Sequence, residues 1–198
     1  MGVAIIDSGG ANIASLRFAL QRLDCPAILT RDPEQIRNSS HVLLPGVGAA
    51  EDAMTRLRSA GLDTLIPGLR RPVLGICLGM QLLFNCSEEG PADCLGVIDD
   101  EVRALEPGDD RPIPHMGWNR VYAPPGCPLF DGVDDGSHFY FVHSFAAGEG
   151  ESTVATTTYG TSFSAAVASG NFFGTQFHPE RSGAAGARVL ANFLRMTP

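Results

Sequence analysis

Between Val73 and Gly79 the chain reads Val-Leu-Gly-Ile-Cys-Leu-Gly, a short apolar run that places a cysteine between two glycines. A run of this length bounded by glycine reads as a buried strand. Glycine on either side of a single residue lets the backbone turn sharply and pass close to its neighbours. The stretch therefore specifies a strand, an elbow and a following helix, with Cys77 held out at the elbow. Strand–turn–helix units of this kind assemble into parallel sheets covered by helices, so an α/β fold is expected.

The rest of the first half agrees. Val3 to Ile6 reads as a first strand, followed by the turn-rich Asp7-Ser8-Gly9-Gly10-Ala11-Asn12. Ile13, Leu16, Leu20 and Leu23 then recur at helical spacing behind an Asn12 N-cap. Pro26 to Thr30 is a second strand, and Asp32-Pro33-Glu34-Gln35 has the cap, proline and Gln of a helix start. His41 to Leu44 is a third strand, ending in Pro45-Gly46-Val47-Gly48 and followed by a helix through Met54 and Leu57. Val73 to Ile76 is the fourth. In open parallel sheets ligands bind beyond the carboxyl ends of the strands, which is where the Gly46–Gly48 loop and Cys77 both fall.

The second half is punctuated by glycine and proline. Short runs at Val97-Ile98, Asn119 to Tyr122, His138 to Phe145, Ser152 to Thr158 and Ser162 to Ala168 predict hairpins and mixed strands. Phe172 to Phe177 predicts a strand leading into His178, and Ala184 to Met196 a closing helix. With no repeat or linker in its 198 residues, the chain is expected to form a single domain over 1–198 around an open, mostly parallel mixed sheet.

Composition narrows the chemistry. All 14 basic residues are arginine, which removes both a lysine Schiff base and a Walker A lysine. A net charge of −8 with no basic stripe argues against nucleic acid as a partner. No stretch is long and apolar enough for a membrane helix, and the N-terminus lacks the pattern of a signal peptide. A cytoplasmic location is therefore expected. The five cysteines, Cys25, Cys77, Cys86, Cys94 and Cys127, are odd in number and fit no common zinc spacing, so neither a disulfide framework nor a metal or other cofactor is expected.

Cys77 alone could be a buried apolar filler. His178-Pro179-Glu180 changes that reading, because Pro179 disfavours a helical His178 and an extended tripeptide sets His178 and Glu180 on one face. A thiol, an imidazole and an orienting carboxylate are the parts of nucleophilic catalysis. The N–H groups of Leu78 and Val47 supply an oxyanion site. Gly46-Val47-Gly48 lacks the third glycine of a dinucleotide loop, so nucleotide binding is discounted.

Gly75-Ile76-Cys77-Leu78-Gly79-Met80-Gln81, followed by Gln176-Phe177-His178-Pro179-Glu180, resembles the class I glutamine amidotransferases. That resemblance implies a flavodoxin-like α/β architecture, glutamine as substrate, and a Cys77-His178-Glu180 triad. It also implies ligand contacts from Gly46, Gly48, Gln81, Ser144 and Phe145. Leu44 to Gly48, Pro114 to Asn119, Tyr140 to Ser144 and Gly174-Thr175-Gln176 are similar to the glutaminase subunits of imidazole glycerol phosphate synthases. By that resemblance Pro114, His115, Met116, Gly117, Trp118, Asn119 and Arg181 meet a (β/α)8-barrel synthase subunit of histidine biosynthesis, which carries the lyase chemistry in a heterodimer. Ser8, Ala11 and Arg181 stand where that family usually has Tyr, Gly and Lys. Alternatives are the glutaminase of pyridoxal phosphate synthase, against which the loop expected at Pro114 to Asn119 argues, and a catalytically silent scaffold.

Overall fold

The apolar runs of the first half lie side by side as buried parallel strands in the computed structural model, which describes residues 2–9, 13–90 and 92–197. In chain order they are β1 (Val3–Ile6), α1 (Ile13–Arg22), β2 (Ala27–Thr30), α2 (Pro33–Arg37), β3 (His41–Gly46), α3 (Ala50–Ser59), α4 (Leu62–Leu65), β4 (Val73–Cys77) and α5 (Leu78–Gln81). There follow β5 (Phe84–Ser87), β6 (Ala92–Asp93), β7 (Ile98–Ala104), β8 (His115–Val121), β9 (Ser137–His143), β10 (Phe145–Ala147), β11 (Thr153–Tyr159), β12 (Thr161–Ser169), β13 (Phe172–Thr175) and α6 (Gly183–Phe193).

The main sheet has the order β11-β12-β13-β4-β3-β1-β2. Pairing is parallel from β13 to β2 and antiparallel between β11, β12 and β13, so the mixed, mostly parallel sheet expected from the sequence is present. Every residue of β1 and β4 is buried, as continuous apolar strands covered on both faces should be. Successive residues alternate between two cores. Ala4, Ile6, Val42 and Leu44 pack with Met54, Leu57 and Leu62 of α3 and α4 on one face. Val3, Ile5, Leu43, Leu74 and Ile76 pack with Leu16, Leu20, Val189, Leu190 and Phe193 of α1 and α6 on the other. A smaller sheet, β10-β7-β5-β6, and the β8-β9 hairpin stand beside this core.

The Asp32 side chain caps α2 by accepting the N–H of Glu34 at 2.9 Å. The Asn12 cap expected for α1 lies outside the described residues, as does Ala11. Three readings are corrected. The Pro114 to Asn119 stretch, read as a loop, is mostly strand, because His115, Gly117, Asn119 and Val121 turn inward while Met116, Trp118 and Arg120 turn out. Its period of two is hidden by polar and glycine residues on the inward face. β13 ends at Thr175, short of Phe177. His178-Pro179-Glu180 is also not extended throughout: His178 has extended dihedrals, but Pro179–Arg181 form a 3-10 turn. Proline's fixed φ suits the first position of a helical turn as well as an extended segment.

Candidate active site

Three adjacent parallel strands converge on one place. β4 is central in the sheet and delivers Cys77 at its carboxyl end. Its neighbour β3 runs two residues further than expected, pairing Gly46 with Cys77, so Val47 and Gly48 emerge beside the thiol. The other neighbour, β13, pairs Thr175 with Ile76 and sends Gln176, Phe177 and His178 over the same end. Residues distant in sequence meet here because the sheet registers align their strand ends.

Cys77 has φ 54° and ψ −112°, a left-handed backbone rare for any residue but glycine. Such a conformation costs on the order of 1–3 kcal/mol and persists only where the surroundings enforce it. They do so through the flanking glycines. A Cβ on Gly79 would strike the carbonyl oxygen of Leu44, and one on Gly75 would strike the Gly79 carbonyl. Neither glycine has positive φ itself. They serve close approach, and the strained residue is the cysteine.

The thiol is 7% exposed, donates to the Val142 carbonyl at 3.6 Å and accepts from Gln176 Nε2 at 3.8 Å. His178 Nδ1 lies 2.9 Å from Glu180 Oε1, with both side chains buried. The histidine backbone is pinned as well. Its N–H donates to Tyr140, and its carbonyl accepts from the Ser182 hydroxyl at 2.6 Å. Among the described residues His178 Nε2 is buried with no hydrogen-bond partner. Burial disfavours the imidazolium, but Cys77 and Glu180 outweigh it and raise the His178 pKa to about 10. The ring thus sits between a sulfur and a carboxylate, an arrangement that can carry a proton.

A cavity of about 330 Å³ opens over this cluster, lined by Val47, Gly48, Cys77, Leu78, Gln81, Glu89, Pro114, Val142, His143, Ser144, Phe145, His178 and Arg181. Leu78 is the first residue of α5, so its N–H has no acceptor within that single turn. Gly46 stands behind the wall, in contact range of Leu78. A larger hollow of about 700 Å³, bordered by Pro124, Pro125 and Pro128 and the end of α6, holds none of the candidate catalytic, ligand-contact or partner-face residues.

The residues read as a partner face divide. Met116 and Trp118 are 62% and 57% exposed and stand out from β8. Pro114 and Arg181 border the cavity, with the Arg181 guanidinium 4.5 Å from the centre of the Tyr140 ring. His115 is the correction: at 3% exposure it faces the interior, stacked on Phe141 and Tyr159, and presents no docking surface. Asn119 also turns inward, its amide donating to the Thr158 carbonyl at 2.9 Å.

Sequence reasoning gave no role to three residues that the structure brings to the cavity or to the thiol. Glu89 is the one carboxylate in the cavity lining, and burial raises its pKa although a backbone hydrogen bond from Ala50 opposes the shift. It lies in the polar stretch between Cys86 and Cys94, two cysteines weighed only as metal ligands. Gln176 is fully buried against Cys77, and its position two before His178 was the available signal. His143 lay within the Tyr140 to Ser144 resemblance, next to Ser144, but was given no role of its own. The four other cysteines are free thiols, and the described residues hold no cluster that could bind a metal.

A family model described as glutamine amidotransferase class-I matches residues 4–197. The chain is 50% identical over 200 residues to "Imidazole glycerol phosphate synthase subunit HisH" of Vibrio cholerae serotype O1, covering 98% of each chain. It is 48% identical over 198 residues to the subunit of the same name from Haemophilus influenzae, covering 100% of this chain and 99% of that one. Among solved structures, a glutamine amidotransferase superposes with a TM-score of 0.76 at 20% identity, covering 98% of this chain and 97% of the other. A second, from Thermotoga maritima, does so with a TM-score of 0.67 at 16% identity, covering 98% and 96%.

Proposed function

The chain belongs to the class I glutamine amidotransferases, and from that premise we propose that it hydrolyses glutamine through Cys77, His178 and Glu180 and passes the ammonia to a partner synthase subunit. The observation that carries this reading is the strained Cys77 at the end of β4, beside a buried His178 that is hydrogen-bonded to Glu180. We take residues 1–198 as one amidotransferase domain, which the match over 4–197 supports.

The Cys77 thiolate attacks the side-chain amide carbon of glutamine, and the N–H groups of Leu78 and Val47 stabilise the oxyanion. As the C–N bond breaks, the His178 imidazolium gives its proton to the amide nitrogen, which departs as ammonia and leaves a glutamyl thioester. Neutral His178 then takes a proton from water, the hydroxide adds to the thioester, and glutamate leaves as the thiolate re-forms. Glu180 holds the ring and stabilises its charged form. Glu89 and Gln81 both line the cavity, and a carboxylate and an amide oxygen suit the ammonium of the amino-acid head.

The names of the full-length relatives support ammonia use in histidine biosynthesis over the pyridoxal phosphate alternative. The partner, a cyclase barrel, would convert a ribulosyl-aminoimidazole phosphate to imidazole glycerol phosphate and an aminoimidazole carboxamide ribonucleotide. Lyase chemistry belongs to that partner, and this chain is the hydrolase. Met116 and Trp118 are exposed on β8, and Trp118 meets Tyr140, the ring under the cavity-lining Arg181, which supports docking at this face. The test is glutamine-dependent synthase activity after the barrel subunit is added, comparing wild type with Cys77→Ala. Loss of glutamine-dependent but not ammonia-dependent turnover is expected; turnover of glutamine by Cys77→Ala would remove the nucleophile assignment.

A further inference from the structure

Two buried histidines stand outside this chemistry. His115 on β8 and His143 on β9 are direct partners across the hairpin, 3% and 6% exposed, and packed against Phe141 and Phe163. Their hydrogen bonds have a defined direction. His143 Nδ1 lies 2.8 Å from the Phe145 carbonyl, which can only accept, so Nδ1 carries the hydrogen. In the neutral ring Nε2 is then an acceptor, and His115 Nδ1, 2.9 Å away, must be its donor. His115 Nε2 is left to accept from the Asn119 amide nitrogen at 3.4 Å. The orientation of that amide is set independently, because its nitrogen donates to Thr158 and its oxygen accepts the N–H of Arg120.

The chain ends on the wall of the candidate active site. The Phe145 carbonyl that receives His143 also receives Gln81 Nε2 at 2.7 Å. The second N–H of Gln81 goes to Gln176 Oε1 at 3.0 Å. With both donors committed, the group Gln81 can offer a ligand is its side-chain carbonyl oxygen, an acceptor suited to an ammonium.

We propose that His115 and His143 are positioning residues, a neutral imidazole pair that clamps the Phe145 carbonyl and so orients Gln81 to receive the α-ammonium of the amino-acid substrate. This rests on the glutaminase reading above. Its effect belongs to substrate binding rather than to bond breaking, because all four ring nitrogens are committed to Phe145, to Asn119 and to each other.

A packing role and a positioning role predict opposite outcomes for two variants. His143→Phe keeps the ring volume and removes the N–H; His143→Asn loses volume and keeps a donor near the Nδ1 position. In the complex with the barrel subunit, His143→Phe is expected to raise the KM for glutamine about tenfold, the size of one lost hydrogen bond, with kcat within about threefold. His143→Asn should hold KM within about threefold of wild type. An unchanged KM in His143→Phe, or a loss confined to kcat, overturns the proposal. Histidine 15N spectra of the unmutated chain give a second check that needs no variant to fold. Both His115 and His143 should be Nδ1–H tautomers, and an Nε2–H form of either overturns the clamp. An unmutated complex inert toward glutamine would instead sink the glutaminase reading, whereas an active one with a normal His143→Phe KM sinks the clamp alone.

Discussion

Cys77 is the residue at which backbone strain and chemistry coincide. Its positive φ points the side chain out of the sheet toward the cavity, and an L-residue pays for that geometry in stability. Cys77→Gly and Cys77→Ala should both lack glutamine hydrolysis, but the glycine variant should be more stable by about 1 kcal/mol, since only glycine adopts this backbone freely. Urea denaturation of the two measures the difference, and equal midpoints would mean that the elbow holds no strain. Glu180 acts through His178. Replacing it with Gln removes one of the two groups that hold the imidazole pKa at about 10. A 15N titration should show the His178 pKa lower in Glu180→Gln, with glutamine turnover reduced roughly 100-fold; an unshifted pKa would leave Glu180 without its orienting role. Cys77, His178 and Glu180 were picked out together by residue type and spacing, and the structure brings them to one place. Glu89 and His143 were given no role, because a single carboxylate or imidazole in sequence does not show what it will face.

Between elements, the decisive feature is how closely α5 approaches β3 and β4. Gly79 sits so near the Leu44 carbonyl that no side chain fits, and the obstacle is backbone. Gly79→Ala is therefore expected to cost about 3 kcal/mol, at the upper end for overpacking, and to depress activity by displacing the Leu78 N–H. Thermal unfolding together with hydrolysis assays reads both effects; a stable, fully active Gly79→Ala would show that α5 can retreat at little cost. The sequence identified this pair of glycines but attributed them in part to the backbone conformation of the turn. Close approach is a property of two elements, and one segment cannot reveal its partner's distance. β8 was misread for a related reason: its inward positions are His115, Gly117 and Asn119, polar or small residues whose burial depends on β9, β11 and β12 packing over them.

At the scale of the whole molecule, the buried histidines set opposing pH limits. Burial lowers His115 to about 4 and His143 to about 3 from the ordinary value near 6.5. For these two the unfolded chain binds more protons in acid, so their contribution is full above about pH 6.5 and is lost as pH falls toward 4 and 3. His178 has the opposite sign. Its raised pKa gives a contribution that is full below about pH 6.5 and is lost as pH rises through about 10. Histidine-linked stability should therefore peak near pH 6.5. Urea midpoints measured from pH 4 to 10 check this, and His115→Phe should flatten the acid limb while leaving the alkaline one; an unchanged acid limb would show that His115 does not titrate on unfolding. The alternation of strands and helices, the Cys77 elbow and the His178–Glu180 pair were determined by local sequence, because apolar periodicity, glycine and proline act within a few residues. Only the tertiary structure decided that β13 lies beside β4, that Gln176 packs against Cys77 while Glu89 shares its cavity, and that His115 faces inward. Strand order and register are set by burial summed over the whole core, which no single segment carries.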